Sequence, residues 1–309
     1  MSRTPHPGPG TGPDAVATHG LTKRYRGETA LDHVDLRVPD GAVYVLVGAN
    51  GAGKSTTLQV LLDLERPDAG RAEVFGLDTA RRGPEVRAQV GYLPEHHRPG
   101  YDWMTCAGLL RHRAAYYPAW DAGYADHLVR ALGLRLSRRV ATLSKGEARR
   151  LQLVMILAHR PPLLLLDEPT DGLDPVVRHR SLALLAEHLA DTPTTVLIST
   201  HQVSELEGLA DHLGVLRDGR LVAQSPREEL QRTVRRYRVE VPDGWQAPPA
   251  LPTAGHRRSS GGREVQWTLV GEEREVVERL ALGGARVREV EPLSFEEAAL
   301  ALLAEEVPQ

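Results

Sequence analysis

The sequence has one cysteine, no long apolar run and nearly balanced charge, and each of these features excludes a class of protein. Because Cys106 is the only cysteine among 309 residues, an internal disulfide and a cysteine-based zinc site are both excluded. No uninterrupted apolar stretch approaches the roughly 18 residues that span a bilayer. The formal net charge of −3 gives no general attraction for nucleic acid, so no nucleic-acid partner is expected.

What the sequence does contain is enough apolar material for a folded core. With 41% hydrophobic residues over 309 positions, the chain can bury a substantial core and is expected to form roughly two domains. Residues 1–13 are rich in proline and glycine and lack the apolar centre of a signal peptide. We therefore expect a disordered tail over residues 1–17, followed by a soluble, cytosolic protein.

A glycine-rich loop at residues 48–56 lies between an apolar run at 43–47 and a helical stretch at 55–64. The glycines allow a tight turn whose N–H groups converge on a phosphate, and the helix N-terminus adds to that positive field. Lys54 can then reach the β- and γ-phosphates, and the Ser55 hydroxyl can bind Mg²⁺. The loop predicts a nucleoside triphosphate site formed by Gly48, Asn50, Gly51, Ala52, Gly53, Lys54, Ser55 and Thr56.

Two carboxylates, Asp167 and Glu168, end a continuous apolar run that is typical of a central parallel strand. Asp167 is the candidate ligand of Mg²⁺, and Glu168 the candidate general base or water-positioning group. A second strand, predicted at 196–199, is followed by Thr200 and His201. The imidazole of His201 would lie at the same sheet edge and contact the γ-phosphate, although a histidine after a strand is also commonly just solvated.

A third motif, Leu143 to Glu147, directly precedes a helical run at 148–159. The helix N-terminus is an anion site, so Ser144 is either a phosphate contact or a plain helix N-cap. With these motifs in this order, the chain resembles the nucleotide-binding ATPase of ATP-binding-cassette (ABC) transporters over about residues 18–225. The resemblance implies that the signature residues contact ATP held by the opposite subunit, and these are Ser144, Lys145, Gly146 and Glu147.

The same resemblance implies roles for residues outside the three motifs. It implies that Tyr25 stacks on adenine and that His201 is the switch histidine. It also implies that a loop of Gly172, Leu173 and Asp174 crosses the interface of a homodimer or a heterodimer of two ATPases. Each ATP would then lie between Lys54 of one chain and Ser144 of the other.

The sequence departs from the family pattern at three positions. Glu95 stands where many members have glutamine, and its carboxylate can still serve as a Mg²⁺ ligand. Lys145 and Glu147 replace the usual glycine and glutamine of the signature. These departures, together with segments 101–105 and 117–121, resemble a bacterial exporter-type branch of the family.

The expected fold class is α/β, with a P-loop NTPase core built on a mainly parallel sheet. An antiparallel β subdomain is expected within residues 20–82, and a helical subdomain at about 95–150. The ATPase domain would span 18–225, and a small α+β appendage would occupy 226–309. Five side chains of the helical subdomain are either a docking surface for a membrane partner or ordinary core aromatics, namely Trp103, Met104, Tyr116, Tyr117 and Trp120.

These features predict an ATPase that uses Lys54, Glu168 and His201, with ATP and Mg²⁺, to energise export through a separate polytopic membrane subunit. Such a chain would be cytoplasmic and peripheral on the inner face of the cell membrane. Two alternatives are a soluble cassette ATPase acting on ribosomes or DNA, and a regulatory module that binds ATP with little turnover. The arginines between 232 and 238 are either a solvated face or a contact for anionic lipid or a partner.

Overall fold

The computed structural model describes residues 13–95, 101–243, 245, 251, 258–259 and 263–304. An antiparallel sheet opens the chain and has the strand order β2-β1-β5-β6, with β3 paired to β1. Its strands are β1 (Asp14–Tyr25), β2 (Glu28–Val34), β3 (Arg37–Pro39), β5 (Ala69–Val74) and β6 (Leu77–Asp78). The disordered tail predicted at 1–17 is therefore too long, because residues 14–17 are the first residues of β1, which pairs with β3 and β5. Residues 1–12 lie outside the described part of the chain.

The second sheet is parallel except for one hairpin and has the strand order β11-β10-β4-β9-β8-β7. Its strands are β4 (Val43–Val47), β7 (Val90–Leu93), β8 (Leu163–Asp167), β9 (Thr195–Thr200), β10 (His212–Arg217) and β11 (Arg220–Pro226). Every residue of β4, β8 and β9 is buried, as expected for parallel strands that are covered on both faces. The carboxyl ends of these three strands meet at one edge, because their ladders are parallel and in register.

Helices cover both faces of this parallel sheet. They are α1 (Lys54–Leu61), α2 (Gly83–Ala88), α3 (Cys106–Ala114), α4 (Ala122–Ala131), α5 (Lys145–Leu157) and α6 (Pro175–Asp191). One hydrophobic cluster joins the sheet to the helical subdomain, and a second joins its other face to the antiparallel sheet. The predicted limit of the helical subdomain at about 150 falls inside α5, which continues without a break and packs beside β7.

The C-terminal region forms a third, antiparallel sheet with the strand order β13-β14-β12-β15. Its strands are β12 (Val234–Glu240), β13 (Arg258–Ser259), β14 (Glu264–Val270) and β15 (Arg286–Pro292), and its helices are α7 (Arg227–Thr233), α8 (Glu273–Leu282) and α9 (Phe295–Leu303). Val276 and Leu280 of α8 pack onto this sheet in a separate small core. Most of the connection at 244–262 lies outside the described residues.

The predicted boundary at 226 does not separate two independent bodies. Leu230 of α7 and Phe295 of α9 belong to the hydrophobic cluster of the ATPase core. In addition, the N–H of Phe295 donates to the Glu207 carboxylate at 3.1 Å. The chain thus leaves the ATPase core after α7, forms the third sheet, and returns to the core through α9.

The arginine run of β12 and its flank is matched by carboxylates. Arg232 and Arg235 pair with Glu272 and Glu273 at the start of α8. Arg236 and Arg238 pair with carboxylates of β15 and α9, namely Glu291, Glu297 and Glu289. This pairing favours a solvated face over a contact for anionic lipid.

Candidate functional site

The phosphate loop joins β4 to α1 and needs glycine for steric reasons. Gly51 and Gly53 have φ values of 84° and 103°, in the left-handed region that L side chains rarely adopt. A Cβ on Gly53 would also lie 2.4 Å from the carbonyl oxygen of Ala30. Gly53 is the N-cap of α1 and no side chain caps the helix there, so its first N–H groups can serve an anion.

The loop forms one wall of an open cavity of about 330 Å³. The described residues that line it are Asn50, Gly51, Gly53, Lys54, Ser55, Thr56, Glu95 and Glu168. The Lys54 ammonium donates to the carbonyl oxygens of Gly48 at 2.8 Å and Ala49 at 3.2 Å. It also lies 3.7 Å from Glu168 Oε1, so the cation and the carboxylate form an ion pair in the cavity lining.

Glu168 is held in place by the end of β9. The Thr200 hydroxyl donates to Glu168 Oε2 at 3.0 Å, and His201 Nδ1 lies 2.8 Å from Glu168 Oε1. A carboxylate only accepts hydrogen bonds, so this contact requires the His201 proton on Nδ1. Glu168 itself has a φ of 44° and is 6% exposed, so the chain leaves β8 by a sharp turn that aims the carboxylate at the cavity.

Asp167 is buried and accepts a hydrogen bond from the Ser199 hydroxyl. Ser199 and Thr200 were not predicted as site residues. Their signal was the parallel alignment of β8 with β9, which places Asp167 opposite Ser199. Two hydroxyls therefore position the two neighbouring carboxylates.

The three predicted Mg²⁺ ligands carry donor atoms that fit a hard cation, and two of them, Ser55 and Glu95, line the cavity. The Ser55 hydroxyl, the Asp167 carboxylate and the Glu95 carboxylate all supply oxygen, which Mg²⁺ prefers. Among the described residues no group of three or more His, Cys, Asp or Glu side chains forms a metal cage. In nucleotide sites Mg²⁺ is held by one or two carboxylates together with phosphates and water.

Tyr25 lies at the end of β1, near the phosphate loop. Burial raises the pKa of its phenol, with a further contribution from Glu65, while the nearby Thr56 side chain lowers it. The Lys23 ammonium lies 5.0 Å from the ring centre, and the ring remains 38% exposed. An open aromatic face beside Thr56 is compatible with stacking on a base.

The signature residues form the start of α5. Ser144 Oγ accepts a hydrogen bond from the Glu147 N–H at 3.2 Å, and Glu147 Oε2 accepts one from the Ser144 N–H at 2.9 Å. Ser144 is therefore a helix N-cap with a capping box, which was one of its two predicted roles. The hydroxyl proton is not used in this cap, so Ser144 can still donate to a phosphate.

The signature adjoins the predicted dimer loop within one chain. Lys145 Nζ lies 2.7 Å from Asp171 Oδ2, and a Cβ on Gly146 would lie 3.5 Å from the Gly172 carbonyl oxygen. Leu173 is buried, and Asp174 caps α6 by accepting from two N–H groups at 3.1 Å. None of these residues is among the described residues that line the cavity.

Arg149, one turn into α5, was not predicted as a site residue. Its guanidinium donates to the carbonyl oxygens of Asp167, Glu168 and Pro169, and to that of Pro94, which follows β7. No local sequence pattern predicts this role, because an arginine inside a helix usually faces solvent.

The five candidate docking side chains divide into two sets. Trp103 and Tyr116 are 73% and 67% exposed. Met104 and Trp120 pack against the main hydrophobic cluster, and Tyr117 stacks on His159 with ring centres 4.1 Å apart. Only Trp103 and Tyr116 therefore present large apolar surface to a partner.

A phosphate loop after one parallel strand, with carboxylates at the end of another, defines a P-loop nucleoside triphosphatase. The ABC transporter family model matches residues 31–171. The daunorubicin/doxorubicin resistance ATP-binding protein of Streptomyces peucetius is 38% identical over 224 residues, covering 70% of this chain and 67% of that protein. The bacitracin transport ATP-binding protein of Bacillus licheniformis is 33% identical over 225 residues, covering 72% and 73%.

Solved structures agree with these relatives. An ATP-binding subunit of an ABC transporter aligns with a TM-score of 0.64 at 30% identity, covering 71% of this chain and 92% of that one. A dimeric bacterial ABC transporter cassette shares the fold with a TM-score of 0.61 at 21% identity, covering 68% and 98%. The chain belongs to the ATP-binding subunits of ABC transporters, and it is an ATPase. None of its described helices is long and apolar enough to cross a membrane.

Proposed function

We propose that two ATPase chains of this type close around ATP and thereby drive export through a separate membrane subunit. The observation that carries this proposal is the position of Glu168. Its carboxylate lines the cavity beside the phosphate loop, opposite Lys54 and between Thr200 and His201. A carboxylate held there can orient a water molecule toward the terminal phosphate of a bound ATP.

Lys54 and His201 would support this step. The ammonium of Lys54 now bonds to carbonyls of its own loop, and the phosphates of ATP are stronger acceptors for it. His201 is fixed by Glu168 and would steady the γ-phosphate, while Lys54 offsets the charge of the transition state. Tyr25 would stack on the adenine ring.

Ser55, Asp167 and Glu95 would hold Mg²⁺. Bound there, the ion would offset negative charge on the phosphate oxygens. Because Glu95 is a carboxylate where many family members have glutamine, it adds negative charge on the side of the cavity that faces the helical subdomain.

The signature supports the dimeric arrangement because it lies away from the cavity of its own chain. Ser144 and Lys145 are exposed at the start of α5, where the helix N-terminus attracts an anion. In a head-to-tail pair, homotypic or with a second ATPase, they would meet ATP held by the Lys54 of the other chain. The loop of Gly172, Leu173 and Asp174 would lie in the same interface.

The membrane partner would dock on the helical subdomain, where Trp103 and Tyr116 are exposed. Two of the relatives are described as resistance and transport ATP-binding proteins, which favours export over import. The chain would then work at the cytoplasmic face of the cell membrane. Nothing in its charge favours a nucleic-acid partner.

The test is turnover by Glu168→Gln. We expect this variant to bind ATP, to lose nearly all hydrolysis, and to accumulate an ATP-bound dimer that size-exclusion chromatography detects. Glu278→Gln is the matched control, because Glu278 lies on α8 and forms a surface ion pair with Arg274. Unchanged turnover in Glu168→Gln would refute the assignment of this carboxylate.

A second experiment separates the alternatives. Affinity purification from detergent-solubilised membranes should recover a polytopic membrane protein in near-stoichiometric amount. Recovery of ribosomal or DNA-associated proteins without a membrane protein would favour the soluble cassette ATPase. Negligible turnover by the wild type itself would favour the regulatory module, whereas the test of Glu168 applies when the wild type hydrolyses ATP measurably.

A further inference from the structure

Arg149 makes an unusual set of contacts for a charged side chain. It is 4% exposed, and its guanidinium donates to four backbone carbonyl oxygens. Arg149 Nε lies 3.1 Å from the Pro169 oxygen, and Nη2 lies 2.6 Å from the Asp167 oxygen. The carbonyl oxygens of Pro94 and Glu168 are the other two acceptors.

These carbonyls belong to residues at or just after the ends of β7 and β8. The last aligned pair of β7 and β8 is Leu93 with Leu166, and the last pair of β8 and β9 is Asp167 with Ser199. The Glu168 oxygen accepts from the Asp171 N–H at 3.1 Å. Buried carbonyls at these strand ends need a donor, because an unpaired one costs about 1–3 kcal/mol. The planar fork of Arg149 supplies that donor to several carbonyls at once.

Keeping a cation at this place has an energetic cost. Burial lowers the pKa of Arg149 to about 10, while the carboxylates of Asp167, Asp171, Glu95 and Glu168 act to raise it. The guanidinium therefore remains charged near neutral pH. Since apolar side chains often stabilise buried positions better than charges do, packing alone gives no reason to keep arginine here.

The contacts connect two parts of the proposed site that are far apart in the sequence. One acceptor precedes Glu95, which lines the cavity and begins the approach to the helical subdomain. Another is the carbonyl of Glu168 itself. Both are tied to α5, whose first residues are the signature.

We propose that Arg149 is a positioning residue that fixes the Glu168 carboxylate for attack on ATP and couples it to the Glu95 segment. This inference rests on the proposed function of Glu168. If the turn that follows β8 shifts, the Glu168 carboxylate moves away from the water that it orients. A displacement of about 1 Å costs about 100-fold in rate. The phosphate loop shares none of the four carbonyls, so ATP binding should survive.

The experiment measures kcat, KM and ATP affinity for Arg149→Lys and Arg149→Met in the full chain. We expect kcat per ATP-binding molecule to fall about 10- to 100-fold, with the ATP dissociation constant unchanged. Arg160→Lys is the matched control, because Arg160 is a half-buried arginine that bonds to Asp121 and Thr192 away from the cavity. It should retain wild-type kcat.

A double-variant cycle tests whether Arg149 acts through Glu168. If it does, Arg149→Met combined with Glu168→Gln turns over no more slowly than Glu168→Gln alone, since no carboxylate is left to misplace. A further fall by the full factor of the single Arg149 variant would overturn the inference. Unchanged kcat in both Arg149 variants would overturn it as well.

Folding failure and failure of the proposed function are both distinguishable. If Arg149→Met does not fold, Arg149→Lys carries the test, because lysine keeps the charge but not the planar fork. Retained turnover in Glu168→Gln would refute the role of Glu168, whatever the Arg149 variants show. Loss in Glu168→Gln with normal kcat in Arg149→Lys and Arg149→Met would refute the role of Arg149 alone.

Discussion

Charged side chains occupy two regions of this protein in opposite ways. Around the cavity, Lys54 and Glu168 are each 6% exposed and have fixed partners. On the C-terminal sheet, Arg238 and Glu289 pair at 3.0 Å while almost half of each side chain stays exposed. Buried charge is costly unless every donor and acceptor is matched, whereas an exposed pair contributes about 0–1 kcal/mol.

The difference suggests what each region does. The residues around the cavity are charged although apolar side chains there would give a more stable fold. Hydroxyls and backbone carbonyls from three neighbouring strand ends hold these charged groups in place. The C-terminal sheet keeps its charges in water, where they favour solubility and add little stability. Variants of the two regions should therefore have effects of very different size.

The largest effect is expected for Lys54→Met. Methionine keeps the length of the side chain but removes the cation beside the phosphates, so ATP hydrolysis should fall by about 100-fold or more. A phosphate-release assay at saturating ATP measures this. Turnover near wild type would show that the phosphates do not lie against Lys54.

A smaller effect is expected for Ser199→Ala. This substitution removes the hydroxyl that donates to Asp167, leaving the carboxylate in place but less firmly oriented. Supporting partners of this kind are worth about 10- to 100-fold. We expect the Mg²⁺ concentration for half-maximal turnover to rise, with little change in ATP affinity. An unchanged Mg²⁺ dependence would contradict this role.

Acid should destabilise the fold through two buried imidazoles, outside the cavity. Burial lowers the pKa of His159 and of His188 to about 4. In the unfolded chain their pKa is about 6.5. Between these values the unfolded state binds protons that the folded state does not, so the free energy of unfolding falls as pH falls from about 6.5 to about 4.

Each imidazole contributes to this loss by about 1.4 kcal/mol per unit of pKa difference. Urea unfolding at a series of pH values measures the slope. Because His188 accounts for part of it, His188→Gln should show a shallower acid slope than the wild type. Equal slopes would mean that His188 is not neutral in the folded protein.

The smallest effect is expected for Arg238→Met in the C-terminal sheet. Its ion pair with Glu289 is exposed, so the free energy of unfolding should change by less than about 1 kcal/mol. That change should shrink at high salt. If urea unfolding showed a loss of several kcal/mol in the free energy of unfolding, exposed and buried charges would not differ in the way described for the two regions.

Much of the fold was predictable because its signals are local. The apolar runs at 43–47 and 163–166 became β4 and β8, since parallel strands covered on both faces read as continuous apolar runs. The helical stretch expected at 55–64 corresponds to α1, which spans Lys54–Leu61. The error at residues 14–17 had a local cause too, because a proline- and glycine-rich stretch hid the start of β1.

The error of placing a domain boundary at 226 had a different cause. Pro226 marks the end of β11, as a proline often does. However, Phe295, about 70 positions later in the chain, packs against the ATPase core, and no local signal near Pro226 predicts that contact. The sequence left open which of the five candidate docking side chains are exposed, for the same reason. Nothing in the sequence separates exposed Trp103 from Trp120, which packs against the core.

By itself, the sequence determined the phosphate loop and the pair Asp167 and Glu168. Glycines at fixed spacing and carboxylates after a buried strand are requirements of the local backbone, so they can be read along the chain. Only the tertiary structure decided which strand ends meet, which hydroxyls hold the two carboxylates, and which carbonyls Arg149 joins. Those contacts link residues far apart in sequence, and their geometry exists only once the sheet and α5 have packed together.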